Sequence, residues 1–339
     1  MRRYQGEDLA QGSRIAIIGN DTLGNYVVST PLMTLLRSRH PGHKLDLYSG
    51  PITQDFWEVD NRVDFGLQTS DVLQLPASIR SAKRYGLVVN LEDEEWAAKL
   101  AGTLCSADSA VVGRCISLST GEELPFADDE AGHLAGDRNW MSPDLMARYP
   151  SLLSTPFIGE ILCRTAYFTG EIPQCHVPYR DVRISVPDIL ISTCASQREK
   201  LWTPSKWIDF ARQFKQLGFS LGIIGASPDV QRRRWKGSEV EDQLVLDRYA
   251  TDLRGSLTLP EVAGALIRSR VCVTLDSGIL HVAGAVNTQT VGLYRYGYST
   301  LWAPPFSSVF PIEPSEGESV ASISSDQIIY GTLAALGQR

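Results

Sequence analysis

The chain has 339 residues, 43% of them hydrophobic, and a formal net charge of -7; that length and apolar content suit two cores rather than one. No apolar run approaches the ~20 residues that span a bilayer, and the first residues lack the apolar stretch of a signal peptide, so stable membrane insertion is excluded and a cytoplasmic protein is expected. Residues 1–165 hold 15 Lys and Arg against 22 Asp and Glu, whereas residues 166–339 hold 17 of each, and an acidic half argues against nucleic acid as a partner.

In chain order, residues 14–19 form a short apolar strand, followed by the polar loop Asn20-Asp21-Thr22-Leu23-Gly24-Asn25 and by apolar residues at helical spacing over 26–39. The next strand is 44–49, which makes the first fifty residues read as β-α-β. A single Gly24 is no dinucleotide fingerprint, which needs three glycines at fixed spacing. Strands follow at 64–67, 86–90 and 109–113, with helices at 70–84 and 96–105, and strands alternating with helices mean a parallel sheet. Residues 116–150 break that rhythm with prolines, glycines and aspartates and read as a loop-rich insertion; helical spacing resumes over 155–167.

Pro173, Pro178 and Pro187 then punctuate a polar stretch. This gives a first domain over 1–170, a linker over 171–187 and a second domain over 188–322. The second domain has strands at 188–193, 220–224 and 290–294, and helices at 204–217, 228–236 and 258–269. Its most informative stretch is Val271-Cys272-Val273-Thr274-Leu275-Asp276-Ser277-Gly278-Ile279-Leu280-His281, a buried strand that stops in a polar turn and restarts as a helix. Such a turn is where an open parallel sheet binds ligands, and amides at the new helix start face anions. The competing reading makes Asp276 or Ser277 a helix cap and His281 a core histidine. Residues 323–339 carry a last helix, expected to pack back on the first domain. The six cysteines are scattered without a C-x-x-C pair, so neither a zinc site nor a disulfide framework is expected.

The two loops and their separation resemble glycosyltransferase family 9, the ADP-heptose:lipopolysaccharide heptosyltransferases, in which an N-terminal L-G-D loop faces a C-terminal D-[ST]-G-x-x-H loop. Here those are Leu23-Gly24-Asn25 and Asp276-Ser277-Gly278-Ile279-Leu280-His281. Lys200-Leu201-Trp202 is similar to the family's K-x-W, and Gly225-Ala226-Ser227-Pro228-Asp229 to its nucleotide loop. The resemblance implies an α/β protein of GT-B architecture: two Rossmann-like domains with parallel sheets facing a central cleft, acceptor held by the first and donor by the second. It implies a nucleotide-diphosphate sugar as co-substrate, with ADP-heptose the expected donor, inverting transfer, and neither cofactor nor metal.

The same resemblance places Ser277 and Gly278 amides on a pyrophosphate, with Lys200 as cation, Thr193 in a supporting loop, Asp276 near the sugar and His281 near phosphate or sugar. Asp229, after a strand and a glycine, suits a carboxylate on ribose hydroxyls, or a helix cap. One departure stands out, because the family's acid is Asn25 here, and an amide is no base at neutral pH. Asp21, Glu92 and Asp93 also sit at strand ends and are the replacement candidates. Their plain alternative is that Asp93 caps a helix starting near residue 94. Four consecutive acidic residues at 92–95 favour a neutral saccharide or amine-bearing acceptor over a phosphorylated one. Loss of the acid also raises the reading of a catalytically silent sugar-nucleotide-binding protein.

Overall fold

The computed structural model describes residues 1–74, 85–305 and 308–337, and the chain divides into two compact units, Met1–Cys175 and His176–Arg339. The division falls inside the expected 171–187 linker.

The first unit is built on a parallel sheet of β1 (Arg2–Arg3), β2 (Arg14–Ile18), β3 (Lys44–Ser49), β4 (Phe65–Gln68), β5 (Tyr85–Asn90) and β6 (Cys105–Val112), in the order β1-β6-β5-β2-β3-β4. The chain runs outward from β2 through β3 to β4, then returns to pair β5 on the other side of β2. That reversal leaves a crevice at the carboxyl ends of β2 and β5. The helix 70–84 is seen as Thr69–Gln74; the remainder of that expectation lies outside the described residues.

Helix Leu23–Arg39 leaves the crevice and buries Val27, Val28, Leu32, Met33 and Leu36 despite Pro31 in its interior. Proline has no N–H for the carbonyl four residues back. The hydroxyl of Thr30 takes that place, donating to the Val27 carbonyl at 2.7 Å, so no acceptor is stranded and the helix continues. Residues 116–150, expected as loop, carry helices Glu130–Gly136 and Leu145–Arg148; Asp129 caps the first by accepting from Gly132 N–H. Both are too short to show helical periodicity.

The second unit repeats the plan with β7 (Ile189–Ser192), β8 (Leu221–Ile223), β9 (Thr251–Asp252), β10 (Val271–Leu275), β11 (Thr290–Leu293) and β12 (Val309–Ile312), all parallel, in the order β12-β11-β10-β7-β8-β9. The reversal here lies between β7 and β10. Strand β12 escapes sequence reading because Pro311 interrupts it, which an edge strand tolerates. The last helix is Ser325–Gly337, and its buried face of Ile328, Ile329, Ala335 and Leu336 joins the core of the second unit with Val291, Leu293 and Phe214. Covering the β10–β11 face removes that apolar surface from water. All six cysteines are free thiols, five of them buried.

Candidate functional site

At the reversal of the second sheet, strand β10 ends at Leu275 and helix Gly278–Ala285 starts three residues later, with extended Ser277 between. The Ser277 side chain makes no capping bond and lies 3.3 Å from the Thr274 hydroxyl. First-turn helical N–H groups have no partner within the helix, so those of Gly278 and Ile279 open this end to an anion. Lys200 is brought in from the loop after β7. Its Nζ lies 2.7 Å from Asp276 Oδ2 and donates to the Asp276 carbonyl at 3.2 Å. The lysine side chain is only 17% exposed, and the aspartate 5%. Trp202 anchors this loop, buried edge-on against Trp207 and donating from Nε1 to the Ile323 carbonyl at 2.8 Å.

His281 is buried one turn into the helix, its ring edge-on to Trp302 and its Nδ1 without a hydrogen-bond partner. Burial, reinforced by the Lys200 charge and opposed by Asp276, pushes its pKa down to about 4. A pKa that far down favours the neutral imidazole at pH 7. Thr193 is turned elsewhere: its N–H and hydroxyl both lie 3.0 Å from Glu241 Oε1, and the hydroxyl also reaches the Gly237 carbonyl. Glu241 is a buried carboxylate opposite Arg254, and no sequence spacing marks it; only folding brings its helix, Ser238–Leu246, to the end of β7. Asp229 stands in the first turn of helix Pro228–Arg234, exposed and paired with Arg232 at 2.6 Å.

At the reversal of the first sheet, the amide of Leu91 donates to the Ile18 carbonyl, extending the β2–β5 ladder by one step. Glu92 follows. Its Oε1 accepts the Asn20 backbone N–H at 2.8 Å and its Oε2 accepts the Asn20 side-chain amide at 3.0 Å. The other end of that amide, Oδ1, accepts from the N–H and hydroxyl of Thr22, which fixes which way Asn20 faces. Burial pushes the Glu92 pKa up to about 7, against the Asn20 hydrogen bonds that pull it down. A pocket opens here, with polar lining from Asn20, Asn25, Ser29, Ser49 and Glu92 and apolar lining from Tyr26, Trp140, Ile158 and Leu162. Trp140, which the sequence left inside the insertion, reaches it with its Nε1 tied to the Leu134 carbonyl at 2.9 Å.

Asp21 and Asp93 do not line that pocket. Asp21 accepts from Ile52 N–H at 2.6 Å and fills the space left by Gly50, where a Cβ would lie 2.1 Å from its Cγ; it ties the first loop to the segment after β3. Asp93 is exposed, pairs with Arg138 at 3.1 Å, and does not cap the following helix, whose N-cap is Glu94.

The sequence profile of glycosyltransferase family 9 (heptosyltransferase) matches residues 169–316. Lipopolysaccharide heptosyltransferase 3 of Escherichia coli K12 is 22% identical over 311 residues, covering 83% of this chain and 82% of its own. A shorter match, 27% identical over 110 residues, joins 32% of the chain to 30% of lipooligosaccharide heptosyltransferase 2 of Haemophilus influenzae. Over residues 169–316 the chain is similar to glycosyltransferase family 9. Among solved structures, a family 9 glycosyl transferase from Veillonella parvula aligns with a TM-score of 0.74 at 16% identity, over 98% of this chain and 99% of that one. E. coli heptosyltransferase WaaC with ADP aligns at 0.63 and 14%, over 95% and 99%. These likenesses show the fold, which is GT-B.

Of the residues matched to family 9 motifs, the structure gathers Lys200, Asp276, Ser277, Gly278 and His281 at one strand reversal and Asn25 at the other. It places Thr193 against a buried carboxylate, Asp229 in solvent, and beside Asn25 a carboxylate, Glu92, that the family motif does not contain. Among the described residues, no helix is long and apolar enough to cross a membrane.

Proposed function

We propose that this glycosyltransferase moves a sugar, heptose in the first instance, from a nucleotide-diphosphate donor such as ADP-heptose to a hydroxyl of a saccharide acceptor, with inversion and without a metal ion. The observation that carries the donor half is the Lys200–Asp276 pair beside the open start of helix Gly278–Ala285. A diphosphate leaving group gathers charge as the anomeric bond breaks, and fixed backbone N–H groups with a lysine stabilise it without reorganising. Neutral His281 adds a hydrogen bond, and Asp229 is offered to ribose at the neighbouring strand end. The relative solved with ADP supports the nucleotide.

The acceptor half rests on the pocket at β2 and β5. Its lining includes neither lysine nor arginine, which suits an uncharged or amine-bearing saccharide packed on Trp140 and hydrogen-bonded by Asn25, Ser29 and Ser49. Glu92 is the general base in this reading: held by Asn20 on both oxygens, with a pKa near 7, it takes the proton of the acceptor hydroxyl. That oxygen forms its bond to the anomeric carbon as the carbon–oxygen bond to the diphosphate breaks, and a single displacement inverts the configuration. Asn25 orients the hydroxyl and accepts no proton. The silent-protein reading rested on the amide at Asn25, and a buried carboxylate lining the same pocket favours transfer over it.

Calorimetric titration with ADP, UDP and GDP, then NMR of the sugar product from ADP-heptose with and without EDTA, tests this. The expected result is ADP binding and an inverted anomeric centre unaffected by EDTA. Absence of binding to any nucleoside diphosphate would sink the proposal.

A further inference from the structure

The donor loop has a charge deficit. Lys200 is already neutralised by Asp276 at 2.7 Å, His281 is neutral, and helix-start amides supply only a partial positive charge. A diphosphate carries more than one negative charge, so Lys200 and the helix start leave part of that charge unbalanced.

Arg295 meets that need. Strands β10 and β11 pair in parallel with Leu275 opposite Leu293, and the Asp276 N–H donates to the Leu293 carbonyl at 2.9 Å. Arg295 thus follows the end of β11 by two residues, as Ser277 follows the end of β10. Its guanidinium lies over the Tyr298 ring, with Cζ 3.5 Å from the centroid, and its Nε is buried without a hydrogen-bond partner. Among the described residues it has no carboxylate partner. The acid near in sequence, Glu313, is committed to the backbone, accepting from Gly297 and Ser299 N–H at 2.8 Å each. A half-buried arginine normally pairs with a carboxylate. This one is stacked and oriented, with its donors unclaimed, at the end of the strand next to the anion loop.

We propose that Arg295 is the second cation of the donor site, binding the diphosphate of the nucleotide while Tyr298 holds its guanidinium flat. The planar fork suits two phosphate oxygens at once, which a lysine cannot match. This inference rests on the donor reading above, and inorganic pyrophosphate, ADP and adenosine together separate the two.

Titrations compare the wild-type chain with Arg295→Gln, Arg295→Lys and Tyr298→Leu. Arg295→Gln should weaken pyrophosphate and ADP at least tenfold and leave adenosine unchanged, as expected for loss of a charge-assisted contact. Arg295→Lys should recover part of the loss, and Tyr298→Leu should show a smaller loss of the same pattern. Thermal melts of the free proteins establish that each variant folds. Unchanged pyrophosphate affinity in folded Arg295→Gln, or an equal loss for adenosine, would overturn the role of Arg295 while leaving the donor reading standing. If the wild type bound neither pyrophosphate nor ADP, the donor reading would fall and Arg295 with it. Pyrophosphate binding without ADP binding would keep Arg295 and remove only the adenine assignment.

Discussion

Glu92 and Asn20 share two hydrogen bonds, one to each carboxylate oxygen, across the point where the first sheet reverses direction. The contact joins the ends of β2 and β5 and fixes a carboxylate in the pocket that Asn25 also lines. Glu92→Gln removes the proton acceptor, and kcat should fall by about 10²- to 10⁴-fold with the donor KM nearly unchanged. In the wild type, kcat/KM should rise with pH through about 7 and level off above it, because only ionised Glu92 accepts the proton. A flat profile from pH 5 to 9 would remove Glu92 from the chemistry.

Asn25→Asp should fold. Position 25 lies in the first turn of helix Leu23–Arg39, where no acidic residue now stands and a negative charge is favourable. A second carboxylate in one pocket makes both harder to ionise together. The rising limb of the pH profile should therefore move to higher pH, read as initial rates across the same buffers. A shift to lower pH would mean that the introduced carboxylate had taken over as base.

Lys200→Met leaves Asp276 buried without its partner, which should cost roughly 3 kcal/mol of stability on top of the lost diphosphate binding. Lys200→Met combined with Asp276→Asn should regain much of that stability but not the binding. Urea unfolding midpoints with unchanged m-values would measure the first effect, and titration with pyrophosphate the second.

Two buried groups set opposite slopes of stability against pH. Glu92 is raised from 4.5 to about 7, so between those values the folded protein holds a proton that the unfolded chain has released, and stability falls as pH rises. His281 is lowered from 6.5 to about 4, so in that window the unfolded chain holds the extra proton, and stability is lost as pH falls. His281→Leu should therefore lose less stability than the wild type on acidification from pH 6.5 to 4, and Glu92→Gln should lose less on alkalinisation from 4.5 to 7. Melting temperatures of the three proteins at half-unit pH steps would show it.

Asp93→Ala should change neither activity nor, beyond about 0.5 kcal/mol, stability, since its carboxylate is exposed in a surface pair with Arg138 and its carbonyl, which accepts from Arg114, is kept. A large loss of kcat in Asp93→Ala with Glu92 intact would return the base to Asp93.

The sequence by itself determined the two parallel sheets and the two loops at which the motifs stand, because buried strands and amphipathic helices leave a period that is local in the chain. It also marked Lys200, Asp276, Ser277 and Gly278 through motif spacing, and Asn25 as the departure from it. The tertiary structure decided what those residues touch. Glu92 and Asp93 are neighbours in sequence and equal in charge, yet one is buried against Asn20 and the other is in solvent, because successive residues leaving a strand end point in different directions. Thr193 turned toward Glu241, and Trp140 reached the pocket from an insertion without periodicity. Arg295 gained its place only through the pairing of β10 with β11. Contacts between residues far apart in the chain have no local signature, and the charge state of a buried group depends on them.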